Sequence, residues 1–157
     1  MSYLFNVVLW SLDHMDGSNF EKLCTDLMSR SGYPDIIPVG GMHDRGRDAQ
    51  AIRYTSSGEK QVILFQFSLN KSWNKKLSDE IKKIRDNKRQ VTSFVFVTSQ
   101  TVTGAAQDKF ELLANEYGWD LQIYDRTWLR LQLEERHLDL AKKYLAIPDA
   151  LLSNRPQ

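Results

Sequence analysis

The hydrophobic pattern changes period several times along the chain, and each change marks an element. In "NFEKLCTDLMSRSGY" the residues Phe20, Leu23, Cys24, Leu27 and Met28 fall at helical spacing, with Ser18 placed to cap the start and Gly32 to stop the end. "DIIPVGGMHDRGRDAQAIRY" is too rich in Gly, Pro and Asp for a helix. It predicts a short strand at 36–39, a loop at 40–47 and a second strand from Asp48 to about Tyr54. "SSGE" turns the chain and "KQVILFQFS" returns it as a third strand, the hairpin partner of the second. That strand is apolar at both parities up to Phe65, as expected where helices cover both faces of a sheet; polarity enters only at Gln66 and Ser68, which share one face.

"KSWNKKLSDEIKKIRDN" predicts an amphipathic helix with Trp73, Leu77, Ile81 and Ile84 on its apolar side. "TSFVFVTS" reads as a fourth strand, "GAAQDKFELLANEYG" as a helix, "WDLQIYD" as a fifth strand, and "TWLRLQLEERH" and "LDLAKKYL" as closing helices. The opening "MSYLFNVVLW" reads as a strand or an apolar docking arm, to be buried on the core or against a second copy of the chain as a homo-oligomer. The predicted order is α-β-β-β-α-β-α-β-α. It describes one α/β domain over residues 1–147, a mixed central β-sheet flanked by helices, followed by a tail or linker at 148–157.

Composition narrows the setting. With 157 residues, 41% of them hydrophobic and 26% charged, the chain can bury a core as a single domain. One cysteine, Cys24, excludes an internal disulfide framework and a cysteine-rich zinc site, so a reducing, cytoplasmic environment is expected. The apolar opening lacks a basic segment and a cleavage site and is shorter than a membrane span, so no membrane partner is expected. A net charge of +1 hides an uneven distribution. Residues 71–89 carry eight Lys/Arg, among them Lys71, Lys75, Lys76, Lys82 and Lys83, against three acids. Such a stripe is either a solvated helix face or a surface for phosphate backbone.

Most catalytic motifs are missing: there is no GxxxxGK loop, HExxH, CxxC or GxSxG. Of the histidines, His43 alone lies near the polar loop, while His14 and His137 have no companions at ligand spacing. What remains is Asp48 at the start of one strand, with Gln66 and Ser68 at the end of its hairpin partner. Their oxygens suit a hard divalent cation, which takes carboxylate, carbonyl and water ligands.

The combination "FEKLCTDLMSRSGY", "GGMHDRGRDAQ" and "VILFQFS" resembles the Mrr-like (type IV restriction endonuclease-like) branch of the PD-(D/E)xK nuclease superfamily over residues 18–125. That branch carries F-E-x-L on its first helix, then G-x-D-x-G-x-D, then apolar-Q-x-K. The tail "YDRTWLRLQLEERHLDLAKKYLAIP" is similar to the end of nuclease domains found at the front of larger bacterial defence proteins. The resemblance implies a restriction endonuclease-like core and a DNA endonuclease dependent on Mg²⁺ or Mn²⁺, acting in antiphage defence. It implies Asp48 as central metal ligand, Gln66 as the second, and the backbone carbonyl of Phe67 completing the set. Glu21 matches the acid of the first helix that orients a water or second ion, although Ser18 to Glu21 also reads as a capping box.

Ser68 departs from the pattern, because it stands where the family carries its catalytic lysine. Either the lysine has migrated, or the site is degenerate and the domain binds nucleic acid or protein. On the helix after the strand, Lys76 lies at the edge of the apolar face while Lys75 points to solvent. Lys71, on the preceding loop, is the other candidate for the missing ammonium. Lys71, Lys75, Lys76, Lys82 and Lys83 are the expected DNA contacts.

Overall fold

The computed structural model describes residues 3–39, 48–86, 91–145 and 147. Its elements run α1 (Tyr3–His14), α2 (Gly17–Arg30), β1 (Ile37–Pro38), β2 (Ala49–Tyr54), β3 (Lys60–Ser68), α3 (Trp73–Asp86), β4 (Ser93–Thr98), α4 (Gly104–Glu116), β5 (Asp120–Tyr124), α5 (Arg126–Leu131), a π-helical turn (Gln132–Arg136) and α6 (Leu138–Leu145). The five strands form one mixed sheet in the order β1-β2-β3-β4-β5. The pairs β1–β2 and β2–β3 are antiparallel, and β3–β4 and β4–β5 are parallel.

Alternation along β3 divides the interior into two layers. Ile63, Phe65 and Phe67 pack with Phe20, Leu23 and Leu27 of α2, Val8 and Leu12 of α1, and Leu140 of α6. Leu64 points the other way, into a cluster with Leu77, Ile81 and Ile84 of α3 and Phe110 of α4. A strand buried on both faces needs apolar residues at both parities, which is what "VILF" supplies.

The N-terminal segment differs from the sequence expectation: it is a helix, neither strand nor arm. A continuous apolar run does not by itself distinguish a strand from a buried helix. Here Val8, Ser11 and Leu12 are buried and Trp10 is out, a helical repeat. Arg126 anchors α1 by donating from both guanidinium nitrogens to Asp13, at 2.7 and 3.0 Å. The start of α2 also differs. Its cap is Asp16, whose carboxylate accepts from the Asn19 N–H at 2.7 Å, so Ser18 lies inside the helix and no Ser18–Glu21 capping box forms. A carboxylate at this end also complements the helix dipole. Gly32 stops α2 as expected, in a left-handed conformation with φ of 107°. It lets the Tyr33 N–H reach back to the Met28 carbonyl at 3.1 Å. The expected loop at 40–47, with His43 and Asp44, and the tail at 148–157 lie outside the described residues.

If α1 is integral to the core, Leu12→Ala should destabilise the protein by about 2–5 kcal/mol in urea denaturation. Trp10→Ala, at a position 61% exposed, should cost about 0.5 kcal/mol or less. Equal effects would mean that α1 is only loosely docked.

Candidate active site

Asp48 enters the sheet irregularly. Its N–H donates to the Phe65 carbonyl at 2.7 Å, although Phe65 is the residue opposite Ala49. Two residues of the incoming strand therefore meet one of β3, in the manner of a bulge, and such a distortion re-aims a side chain. The Asp48 carboxylate turns along β3 and accepts the Phe67 N–H at 2.7 Å.

Beside Asp48 lies a cavity of about 360 Å³, walled by Ser18, Glu21, Lys22, Thr25 and Asp26 of α2, by Pro38 of β1 and by Tyr144 of α6. The structure thus brings Glu21 and Asp48 to one cavity, and with the cap at Asp16 the Glu21 side chain is not used to close the helix end. Asp26 on the same wall is held by the Tyr144 hydroxyl and by Lys143 at 3.6 Å. Both acids reach inward electrostatically. Burial pushes the Cys24 thiol well above its ordinary pKa, and the negative charges of Asp48 and then Glu21 push it further.

Gln66 is the next polar group. By strand alternation it shares the Leu64 side of β3, facing α3, and it is not among the residues of the Asp48 cavity. It is buried, and its Oε1 has no hydrogen-bond partner. An orphaned buried acceptor costs about 1–3 kcal/mol, so the position is one where a donor or a cation would be stabilising. Ser68 is buried on the same side, and its hydroxyl is used locally, accepting the Asn70 N–H at 3.1 Å where the strand turns toward α3.

The lysines separate as helical spacing predicts. Lys76 is half-buried at the edge of the apolar face of α3, whereas Lys71, Lys75, Lys82 and Lys83 are exposed. Lys76 does not simply face the strand, however. Its Nζ lies 2.9 Å from Oε1 of Glu80, and the Lys83 Nζ reaches the same oxygen at 3.3 Å. Glu80 is 2% exposed, and sequence reasoning passed over it as one acid in a basic stripe. The signal was present: Glu80 follows Leu77 by three residues and precedes Ile84 by four, which places it on the apolar face.

A carboxylate at Asp48 and an unpartnered amide oxygen at Gln66 are ligand types that a hard divalent ion takes, although Gln66 does not line the cavity that Asp48 shares with Glu21. Among the described residues no three acidic, histidine or cysteine side chains converge as a ready-made cage. Mg²⁺ does not require one, since it binds through one or two carboxylates and keeps several waters.

The family model Mrr_cat, described as restriction endonuclease, matches residues 12–129. No curated protein matches the chain. Among solved structures, the DNA modification-dependent restriction endonuclease AspBHI is similar with a TM-score of 0.58 and 15% identity; the match covers 99% of this chain and 41% of that one. At that identity the likeness is one of fold. The chain spans less than half the length of that enzyme.

The electrostatics around Cys24 lead to a direct test. Buried and held as a protonated thiol, Cys24 should not react with a disulfide reagent at pH 8 in the native protein. Its labelling should proceed at the rate of unfolding and rise with urea. Fast labelling without denaturant would show that the wall between Cys24 and the acidic cavity is open.

Proposed function

Because the chain belongs to the Mrr family of restriction endonucleases, we propose that it is a metal-dependent DNA endonuclease domain serving in antiphage defence. Two features near the end of β3 support this reading. One is an acid held in place by the Phe67 N–H; the other is a buried amide oxygen with no partner. Asp48 and Gln66 would hold Mg²⁺ or Mn²⁺, with the Phe67 carbonyl as a further ligand. When bound, the ion supplies a Lewis acid for the phosphodiester and lowers the pKa of a water.

The protein's own groups have separate tasks. Asp48 must be held in place, and its bond to the Phe67 backbone amide does so. Glu21, which lines the same cavity as Asp48, would orient the water. Lys76 would stabilise negative charge developing on the phosphate, with Lys71 as the alternative source of that ammonium. Lys71, Lys75, Lys82 and Lys83 would bind the DNA backbone from the exposed side of α3 and its leading loop. A second copy of the chain, or further domains of a larger defence protein, would supply the DNA reading that these residues lack. The second reading is a degenerate module that binds nucleic acid or protein. Ser68 favours it, since a hydroxyl engaged with Asn70 supplies no charge.

Titration with Mg²⁺ or Mn²⁺, followed by NMR shifts of β2 and β3, should perturb Asp48 and Gln66, and Asp48→Ala should abolish the response. An unchanged response in that variant would remove the metal site from Asp48.

Cleavage tests the ammonium. Lys76→Ala should lower the rate by about 10²–10³, the loss typical of one preorganised charge. Lys75→Ala should only weaken DNA binding and its salt dependence. Loss confined to Lys71→Ala would move the role to the loop. If neither single- nor double-stranded DNA is cut with either metal, the degenerate module is the correct reading.

A further inference from the structure

We propose that Glu80 is the positioning residue of this site, holding the Lys76 ammonium in the place from which it acts on the phosphate. The proposal rests on the nuclease reading above and adds a residue that the family pattern does not supply. Leu77, Ile81 and Ile84 show what the buried face of α3 is made of, and Glu80 lies among them at 2% exposure. A helix selected for packing alone would carry an apolar residue there, because a buried carboxylate is unfavourable unless paired, and even then often no better than a hydrophobic side chain.

Its pairing is lopsided. Lys76 at 2.9 Å and Lys83 at 3.3 Å both meet Oε1, while Oε2 is buried with no partner. Among the described residues, the two buried side-chain atoms without a hydrogen-bond partner are this oxygen and Oε1 of Gln66. They belong to α3 and β3, the elements that face one another across one layer of the core. Structural ion pairs have no reason to leave both acceptors open.

Charge and geometry support the same role. A lysine on a free four-carbon stem is poorly preorganised, and a pair with Glu80 one helical turn away fixes its ammonium. A single Lys–Glu pair would be neutral and of little use to a phosphate. Lys83 shares Glu80 with Lys76, so the charge of the one carboxylate is divided between two ammoniums. Lys83 is the more exposed of the two lysines and Lys76 the more buried.

The test is a double-mutant cycle on DNA cleavage, with stability measured alongside. Glu80→Gln should lower kcat tenfold or more while DNA affinity changes less than about twofold, and it should cause no further loss in a Lys76→Ala background. Glu80→Met removes the orphaned oxygen as well; it should match or exceed the native Tm while losing the same kcat. Additive losses, or a kcat that falls only as Tm falls, would overturn the positioning role and make Glu80 a structural acid. Competitive acetylation gives a readout independent of cleavage. Lys76 should label several-fold faster in Glu80→Gln relative to the exposed Lys60, and an unchanged ratio would show that Glu80 does not hold it. If the native protein cuts no DNA while that ratio rises, the nuclease reading falls and takes the catalytic role of Glu80 with it, leaving only the contact.

Discussion

The burial of β3 on both faces constrains the rest of the structure. This strand pairs antiparallel with β2 and parallel with β4, and its residues 63 to 68 are all buried. Polar groups are unfavourable along such a strand except where they find partners, so chemistry can enter only near its end, where Gln66 and Ser68 stand. The same burial explains why helices are needed on both sides, and why α1, α2 and α6 crowd one face while α3 and α4 cover the other. The position of Asp48 follows from the hairpin, because β2 begins at Ala49 opposite Phe65 and the residue before it falls at the end of β3.

That end of the sheet is not arranged for maximum stability. Gln66 Oε1 and Glu80 Oε2 are both buried and unpartnered, and the Asp48 carboxylate turns aside from the regular ladder to reach the Phe67 N–H. Elsewhere the polar groups are well paired: Arg53 makes two bonds to Asp35, and Arg30 two to Asp139. In each of those exposed pairs the guanidinium holds the carboxyl below its ordinary pKa. The contrast matters because unsatisfied buried groups in an otherwise satisfied fold are the expected mark of positions kept for a task other than folding.

Much of this was legible in the sequence. The third strand, the hairpin before it and the apolar face of α3 rest on long, strongly periodic segments, and they appear where the pattern put them. Two local features were not. Tyr3–His14 forms a helix because Val8 and Leu12 dock on the core and Arg126 reaches Asp13 from more than a hundred residues away, and neither contact is visible in a ten-residue apolar run. The cap of α2 moved from Ser18 to Asp16 because both residue types can cap, and the choice belongs to the packing of the segment before the helix. Of the candidate site, Asp48 and Glu21 share a cavity that Gln66 does not line. The bulge-like entry that brings Asp48 there depends on tertiary hydrogen bonds that periodicity does not encode.

On the nuclease reading proposed above, the ammonium that the family resemblance puts at Ser68 would come instead from α3, a move that need not change the fold. A lysine on the last residue of a doubly buried strand must thread its stem out through the layer that α3 covers, whereas Ser68 fits and closes the turn through Asn70. Helix α3 begins five residues later, and its Lys76 lies at the boundary between core and solvent, where an ammonium can stay hydrated while its stem packs on apolar surface. The move has a requirement of its own. On a strand, an ammonium is aimed by the neighbouring strands, but at a helix edge it has far more freedom and must be restrained by a side chain. Glu80, one turn further along and buried among leucine and isoleucine, is the group in α3 able to impose that restraint.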